Sequence, residues 1–257
     1  MFKMKEKWRL LLTNENTAAI NMAIDKAILF AHSKKLVPPT VRFYSWNPSA
    51  ISIGYFQSLK DEVDLEACKK YSVDYVRRIT GGGAVFHENE LTYSIIIDEN
   101  HPEVSDNILE SYKRICGAIM YGLENFGVTC AYRPINDIVY NNKKISGNAQ
   151  TRQNNTLLQH GTVLLDVDVE KMFTILKVPN EKMKDKLIKN VKQSVTSLKN
   201  IVGRKVIFDE LIEDMIKGFE DEFNIELVKG SLIEEEINYS NKFEKEYFSS
   251  KKWNNKR

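Results

Sequence analysis

The 257-residue chain lacks the sequence features of secreted proteins, of membrane proteins and of proteins stabilised by a structural metal ion. It has only three cysteines, Cys68, Cys116 and Cys130, and their odd number and wide spacing argue against a disulfide framework or a zinc ribbon. It also lacks a run of about 18 apolar residues, so no membrane span is expected. The opening MFKMKEKWRLLL has too short an apolar run for a signal peptide, and a cytoplasmic protein is expected.

An excess of charge of one sign is absent as well. The 37 basic and 35 acidic residues leave a formal net charge of +2, which does not favour a long nucleic-acid-binding surface, and no nucleic-acid partner is expected. The four histidines show no metal-ligand spacing, so a zinc site is not predicted. The remaining composition, 42% hydrophobic and 28% charged, is that of an ordinary globular protein.

The elements that are present predict an α+β fold. Stretches such as TVRFYSW, AISIGYF and LTYSIIID favour strands, and apolar spacing predicts a long helix from Ser105 to about Phe126. Two hairpins are expected to turn at Asn141-Asn142 and Asn154-Asn155, because asparagine tolerates positive φ. Since hairpins outnumber strand–helix–strand units, we predict one domain over residues 1–257, with a mixed, largely antiparallel sheet flanked by helices. Its C-terminal part, about 203–257, is predicted to be helical.

The stretch RRITGGGAVFH combines two arginines with three consecutive glycines, Gly81 to Gly83, followed by Ala84. Glycine backbone can form an anion-binding concavity, and Arg77 or Arg78 can bind a phosphate or carboxylate in a bidentate manner. Adjacent residues of a strand point to opposite faces, so only one arginine is expected to face the site. The spacing fits neither a P-loop nor a dinucleotide-binding loop. A tight turn with surface arginines is the plainer alternative.

Two further stretches contain candidate polar groups. In NDIVYNNKKISGNAQTRQ, Lys144 lies near the end of a hairpin strand, where an ammonium group can project into a cleft and stabilise a developing oxyanion. A solvated hairpin lysine is the alternative, and it is the expected state of the neighbouring Lys143. In LLQHGTVLL, His160 and Gly161 lie inside an apolar strand, where a lone histidine is more often a wall or core residue than a catalyst.

Taken together, these stretches resemble the lipoate–protein ligase and octanoyltransferase family. The resemblance covers nearly the whole chain and rests on RFYSWNPSAISIGYFQ, RRITGGGAVFH, NDIVYNNKKISGNAQ and LQHGTVLLD, four motifs in the family's order. It implies the fold shared with biotin protein ligases and related to class II aminoacyl-tRNA synthetases. A biotin ligase itself is disfavoured, because the Gly-Arg-Gly-Arg loop of those enzymes is absent.

The main function implied by the resemblance is an ATP-dependent lipoate–protein ligase. Such an enzyme uses ATP and Mg²⁺ to convert lipoate to lipoyl-AMP. It then modifies a lysine of the lipoyl domains of 2-oxoacid dehydrogenase acyltransferases or of the glycine-cleavage H protein. The resemblance implies that Lys144 contacts the acyl carbonyl or α-phosphate, that Asn136 and Asp137 seat the nucleotide or its Mg²⁺, and that one of Arg77 and Arg78 holds phosphate. Its expected pocket is completed by Gly81, Gly82, Gly83, Ala84, His87, Gln150, His160 and Gly161.

The alternative is an octanoyltransferase or lipoyl amidotransferase, which takes octanoate from acyl carrier protein through a cysteine thioester. HENELTYS and AQTRQ resemble this branch, although its cysteine lies in a longer segment before the lysine. Here Cys130, 14 residues before Lys144, is the candidate nucleophile, while a buried small residue is the plainer interpretation. A non-catalytic lipoate-binding protein is a third alternative. No accessory domain is expected, because the chain resembles the catalytic half of bipartite ligases, whose accessory domain is a separate polypeptide; a separate accessory subunit is then a candidate partner.

Overall fold

A computed structural model describes residues 4–178 and 180–257 of the chain. The strands are β1 (Glu6–Asn16), β2 (Thr40–Trp46), β3 (Ala50–Ile53), β4 (Asp74–Arg77), β5 (Val85–His87), β6 (Glu90–Asp98), β7 (Ala131–Arg133), β8 (Asp137–Tyr140), β9 (Lys143–Gln153), β10 (Thr156–Leu164) and β11 (Ile225–Lys229). The α-helices are α1 (Ala18–Ser33), α2 (Leu59–Glu62), α3 (Leu65–Lys70), α4 (Ile108–Asn125), α5 (Val169–Ile175), α6 (Glu181–Ser194), α7 (Leu198–Val202), α8 (Phe208–Phe223), α9 (Glu234–Phe243) and α10 (Lys251–Asn254). A π-helical turn, Glu244–Phe248, follows α9.

Eight strands form the main sheet in the order β11-β1-β2-β6-β10-β9-β8-β7, and β4-β3-β5 form a second, smaller sheet. In the main sheet β1 pairs in parallel with β2 and β11, and the other neighbours are antiparallel. This confirms the predicted α+β class with a mixed, largely antiparallel sheet. The hairpins β8–β9 and β9–β10 turn at the two predicted asparagine pairs, and all four asparagines have positive φ.

The two faces of the main sheet bury separate apolar clusters. On one face, α4 and α8 pack together and against inward residues such as Leu157 and Val163 of β10. On the other face, α1 and α9 pack against residues that include Leu158. Because side chains alternate along a strand, residues of β10 in the register of Leu158 face the α1 side. His160 and Thr162 belong to that register.

The structure corrects two sequence predictions. The long helix α4 begins at Ile108 rather than Ser105, because the Asn107 side chain accepts hydrogen bonds from the backbone N–H groups of Leu109 and Glu110 and so caps it there. The segment from about 203 to 257 is not purely helical. Its residues Ile225–Lys229 form β11, which extends the main sheet beside β1, so sequence patterning missed a strand that depends on a distant partner.

Within the described residues, no helix is long and apolar enough to cross a bilayer.

Candidate active site

A cavity of about 350 Å³ lies between the α1 face of the main sheet and the small sheet. Its apolar wall includes Met22, Tyr44, Trp46, Val85, Leu164, Val167, Met172, Val191 and Val195. Its polar wall includes Ser52, Arg78, His87, Asn136, Lys144, Asn148 and His160. Met22, Tyr44 and Trp46 are buried, whereas Lys144 and Asn136 are half-buried and Gly82 and Gly83 are exposed. The cavity therefore has an apolar floor and a polar mouth, an arrangement suited to an amphiphilic ligand.

The glycine loop, residues 79–84, forms one lip of the mouth and is shaped by Arg78. The buried guanidinium donates to the carbonyls of Gly81 and Gly83, both at 2.8 Å, and to Ser52 and Thr80. Gly82 has a φ of +95°, which favours glycine there. Burial lowers the pKa of Arg78 to about 10. The N–H groups of Arg78 are hydrogen-bonded to the loop and to the residues around it. Its main role at the mouth is therefore to fix the conformation of the glycine loop.

Two hydrogen-bonded relays of similar composition converge on Arg78. In the first, Glu90 accepts from His87 Nδ1 at 2.6 Å, and Ser52 Oγ bonds to His87 Nε2 at 2.7 Å. The His87 ring also stacks on Trp46, with centroids 4.0 Å apart. Arg78 Nη1 donates to Ser52 Oγ at 3.1 Å, which joins this relay to the glycine loop.

The second relay runs from Asp25 through His160 and Thr80. His160 Nδ1 lies 3.4 Å from Asp25 Oδ2, and its Nε2 lies 2.7 Å from Thr80 Oγ1, which accepts from Arg78 Nε. Burial lowers the pKa of His160, so the ring is neutral at pH 7 and donates from Nδ1. Burial of Asp25 opposes its ionisation, but the Arg42 guanidinium at 2.7 Å and the His160 ring together outweigh this and lower the pKa of that carboxyl. The relay is thus a fixed polar wall.

Lys144 occupies the mouth opposite the glycine loop. Its Nζ lies 2.6 Å from Asp137 Oδ1, and 37% of its side chain is exposed. The side chain folds over Gly147, where an added Cβ would lie 2.6 Å from Lys144 Cε. The backbone N–H of Thr196 donates to the Lys144 carbonyl at 2.8 Å, which ties this strand to the segment after α6. These contacts hold an ammonium group at the edge of the cavity.

The backbone around Asn136 and Asn148 is fixed by reciprocal contacts. Asn148 Nδ2 donates to the Asn136 carbonyl at 2.8 Å, and Tyr93 Oη donates to Asn148 Oδ1 at 2.6 Å. Gly161 faces the same amide, because an added Cβ would lie 2.0 Å from Asn148 Oδ1. The absence of a side chain at Gly161 therefore leaves room for the Asn148 amide beside Tyr93.

The structure brings most of the predicted site residues together. Those that line the cavity are Arg78, Gly82, Gly83, Ala84, His87, Asn136, Lys144, His160 and Gly161. Five do not line it, namely Arg77, Gly81, Cys130, Asp137 and Gln150. Asp137 still reaches it indirectly through Lys144. Both Asp137 oxygens are engaged, one by Lys144 and one by Arg133 at 2.8 Å. Burial opposes the ionisation of Asp137, but these hydrogen bonds outweigh it and lower its pKa.

Arg77 points away from the cavity. Its guanidinium donates to the carbonyls of Gly54, Tyr55, Gln57, Trp253 and Asn254. Phosphate binding is therefore the wrong role for this side chain, which instead joins α10 to the loop after β3.

Gln150 and Cys130 lie on the opposite face of the main sheet. Gln150 Oε1 accepts from Ser111 of α4, and its Nε2 donates to Gln159. Cys130 packs against the α4–α8 cluster, and burial raises its pKa to about 11. Gln150 was expected in the pocket and Cys130 as the candidate nucleophile, and the structure places neither side chain there. Sequence spacing does not show which face of the sheet a residue occupies where the strand register is irregular.

Sequence reasoning missed several wall residues. Ser52 lies within AISIGYF, a stretch recognised as a motif, and period-2 alternation gives it the face opposite Ile51 and Ile53. Val191 and Val195 come from α6 and the residue after it, in a lysine-rich stretch that carries no sequence signal for a cavity wall. Among the described residues no group of three or more His, Cys, Asp or Glu side chains is placed to hold a metal ion.

Residues 17–220 match the model of the lipoyl protein ligase A/B catalytic domain. The chain belongs to this family. The lipoyl ligase A/B fold is also that of two similar solved structures. A bipartite lipoate protein ligase from Thermoplasma acidophilum, described with its E2 lipoyl domain, has a TM-score of 0.87 and 28% identity, over 97% of this chain and 96% of that one. A lipoate-protein ligase A bound with ATP has a TM-score of 0.83 and 26% identity, over 96% and 98%.

Curated relatives within the lipoyl ligase A/B family correct the functional prediction. Octanoyltransferase LipM of Bacillus subtilis is 36% identical, over 98% of this chain and 99% of its own length. The enzyme of the same name from Clostridioides difficile is 40% identical, over 90% and 92%. The expectation of an ATP-dependent lipoate–protein ligase is therefore wrong, and the octanoyltransferase alternative is favoured. The alignment with the Bacillus enzyme spans 277 positions, whereas this chain has 257 residues. The alignment therefore contains gaps of at least 20 positions in this chain.

Proposed function

We propose that this chain transfers an octanoyl group from octanoyl carrier protein to a lysine of a lipoyl domain or of the glycine-cleavage H protein, without ATP. The observation that carries the proposal is the cavity, with an apolar floor and an ammonium group at its mouth. Octanoyltransferase relatives that align over nearly the whole chain support the acyl group and the reaction type.

The apolar floor matches the octanoyl chain. Its seven carbons beyond the carbonyl would pack among Met22, Tyr44 and Trp46. Each methylene that is removed from water would stabilise the bound state by about 0.8 kcal/mol. The carbonyl would then lie at the mouth, where Lys144 and the glycine loop meet. Transfer of an acyl group passes through a tetrahedral oxyanion, and a pre-positioned cation stabilises that charge as it develops. Lys144, held by Asp137, supplies this cation.

The experiment supplies octanoyl carrier protein and a lipoyl domain without nucleotide, and follows the acceptor by intact-mass spectrometry. The expected result is a gain of one octanoyl group on the acceptor lysine. The matched control is a lipoyl domain whose acceptor lysine is replaced by arginine, which should stay unmodified. Modification that appears only when lipoate and Mg-ATP replace the octanoyl donor would overturn the proposal.

A further inference from the structure

Helix α6 forms part of the cavity wall on one side and carries a row of lysines on the other. Its 14 residues contain five lysines and two acidic residues. Val191, and Val195 directly after the helix, line the cavity. Val195 also forms a β-bridge with Lys144, and the Thr196 N–H donates to the Lys144 carbonyl at 2.8 Å. The C-terminal end of α6 is therefore fixed beside the ammonium group at the mouth.

Three lysines of α6, Lys182, Lys186 and Lys189, form what we call the lysine stripe. All three side chains are exposed, and they follow one another at intervals of four and three residues, so they lie on one face of the helix. At about 100° of rotation per residue, this face lies opposite Val191. The stripe extends about 10 Å along the helix axis, and Lys189 lies at its end nearer to the mouth.

Carboxylates around α6 leave the charge of the lysine stripe unpaired. Glu170 is paired with Lys192 at 2.7 Å, and Asp166 is paired with Lys199 at the same distance. Asp185 lies on α6 itself, yet within the described part of the chain no carboxylate forms an ion pair with the stripe. The stripe is therefore a local excess of positive charge on a chain whose formal net charge is only +2.

A groove of about 710 Å³ runs beside the stripe, between α5 and α6. Its lining includes the apolar Ile188, the lysines Lys184, Lys189 and Lys192, and the carboxylates Glu170 and Asp185. Lys189 belongs to both the groove and the stripe. The surface thus combines a recess with a border of positive charge, which suits a helix or loop of a partner protein that is rich in aspartate and glutamate.

We propose that the lysine stripe and this groove bind the octanoyl carrier protein through an acidic surface of the carrier. The inference rests on the proposed function. The surface is assigned to the donor because the donor carries the chain that must enter the cavity behind Val191 and Val195. The acceptor needs only to bring an amine to the mouth. A lipid surface fits less well, because Leu187, Ile188 and Val191 are half-buried against the protein and are not presented to a bilayer.

The test compares two triple variants that change the net charge equally. The stripe variant combines Lys182→Glu, Lys186→Glu and Lys189→Glu. The control variant combines Lys113→Glu, Lys205→Glu and Lys217→Glu. The control lysines are exposed and lie in or next to α4 and α8, on the other face of the main sheet from the cavity. A difference between the two variants therefore reports the position of the charges and not their sum.

Two measurements are made on the full chain. Steady-state transfer gives kcat and the separate KM values for octanoyl carrier protein and for the lipoyl domain. Fluorescence anisotropy with labelled carrier protein that lacks the acyl group gives a Kd that does not depend on turnover. In about 50 mM salt, we expect the stripe variant to raise both the KM and the Kd for the carrier about tenfold or more. Its kcat and its KM for the lipoyl domain should stay within twofold of the wild type.

The control variant should stay within twofold of the wild type in every constant. In about 0.5 M salt the difference between the wild type and the stripe variant should shrink, because salt screens exposed charges. If the glutamates of the stripe variant lower its unfolding temperature, glutamine at the same three positions provides a second variant. That variant should raise the KM and the Kd for the carrier by a smaller factor.

Equal effects of the stripe and control variants would overturn the inference, because the total charge alone would then account for them. A stripe variant that binds the carrier as tightly as the wild type does, or that raises the KM for the lipoyl domain instead, would also overturn it. Each of these results leaves the proposed function standing. Failure of the wild type to transfer octanoate at all would instead defeat the proposed function, and with it the inference.

Discussion

Lys144 and Lys143 are adjacent, yet their surroundings differ. Lys143 is exposed, whereas Lys144 is half-buried, paired with Asp137 and folded over Gly147. Alternation along β9 turns Lys144 toward the cavity and Ile145 into the α4–α8 cluster. The motif predicted which lysine faces the site. The Asp137 partner was predicted only as a nucleotide or Mg²⁺ ligand, because a pair across a hairpin with an irregular register is not visible in sequence.

Replacing Lys144 by alanine should lower kcat for octanoyl transfer by about 10²–10³, the usual cost of losing one group that stabilises an oxyanion. The matched change Lys143→Ala should leave the rate within twofold. Both variants should keep the wild-type unfolding temperature, because the Lys144–Asp137 pair is partly solvated. Steady-state transfer to a lipoyl domain measures the first effect, and equal losses in the two variants would argue against the role given to Lys144.

At the scale of the element, the glycine loop is defined by its neighbours as much as by its own residues. An added Cβ on Gly54 would lie 2.0 Å from the carbonyl oxygen of Gly82, whereas one on Gly81 meets nothing within 4 Å. The sequence identified the loop as a cradle because consecutive glycines are costly unless they are needed. It did not identify Gly54, which is isolated in the sequence and comes close only when β3 and β4 pair.

Gly54→Ala should therefore displace the loop and weaken both stability and transfer, with a cost to folding of about 1–3 kcal/mol for overpacking. Gly81→Ala is the control, since its Cβ enters open space and its φ is not positive, and it should cost far less. Urea unfolding and the KM for octanoyl carrier protein report the two effects. Equal behaviour of the two alanine variants would show that contact between the β3 end and the loop does not shape the site.

The hairpins show how far local patterns carry the prediction of elements. Each asparagine pair sets a two-residue turn, so β8, β9 and β10 follow from nearby residues. The strand β11 does not, because Ile225–Lys229 becomes a strand only by pairing in parallel with β1, more than 200 residues earlier in the chain. The cavity wall at Val191 and Val195 is likewise set by how α6 crosses the sheet, which local periodicity does not encode.

For the whole molecule, buried histidines couple folding to pH. Burial lowers the pKa of His160 and of His32 from 6.5. The unfolded chain then binds more protons than the folded chain as pH falls below about 6.5, so stability decreases on acidification through that range. The lowered pKa of Asp25 acts in a separate window, because its stabilisation is present above about 3.8 and is lost only in stronger acid.

The free energy of unfolding should accordingly fall between pH 7.5 and pH 5.5, by up to about 1.4 kcal/mol per pH unit for each histidine within its window. His160→Gln should reduce this slope, and His32→Gln should reduce it by an independent amount. Urea titrations at the two pH values measure the slopes. Variants that retain the full wild-type slope would show that other groups carry the pH dependence.

The hydrogen bonds between Arg77 and α10 connect the C-terminal residues to the glycine loop at the mouth of the cavity. Trp253 Nε1 donates to the Arg77 carbonyl, the Arg77 N–H donates to Asn254 Oδ1, and the next residue, Arg78, shapes the glycine loop. A carboxypeptidase that removed the last four residues would take away Asn254 and the hydrogen bonds it makes to Arg77, and would so weaken the support of the glycine loop from the side away from the cavity. A purification tag is for the same reason better fused before Met1 than after Arg257.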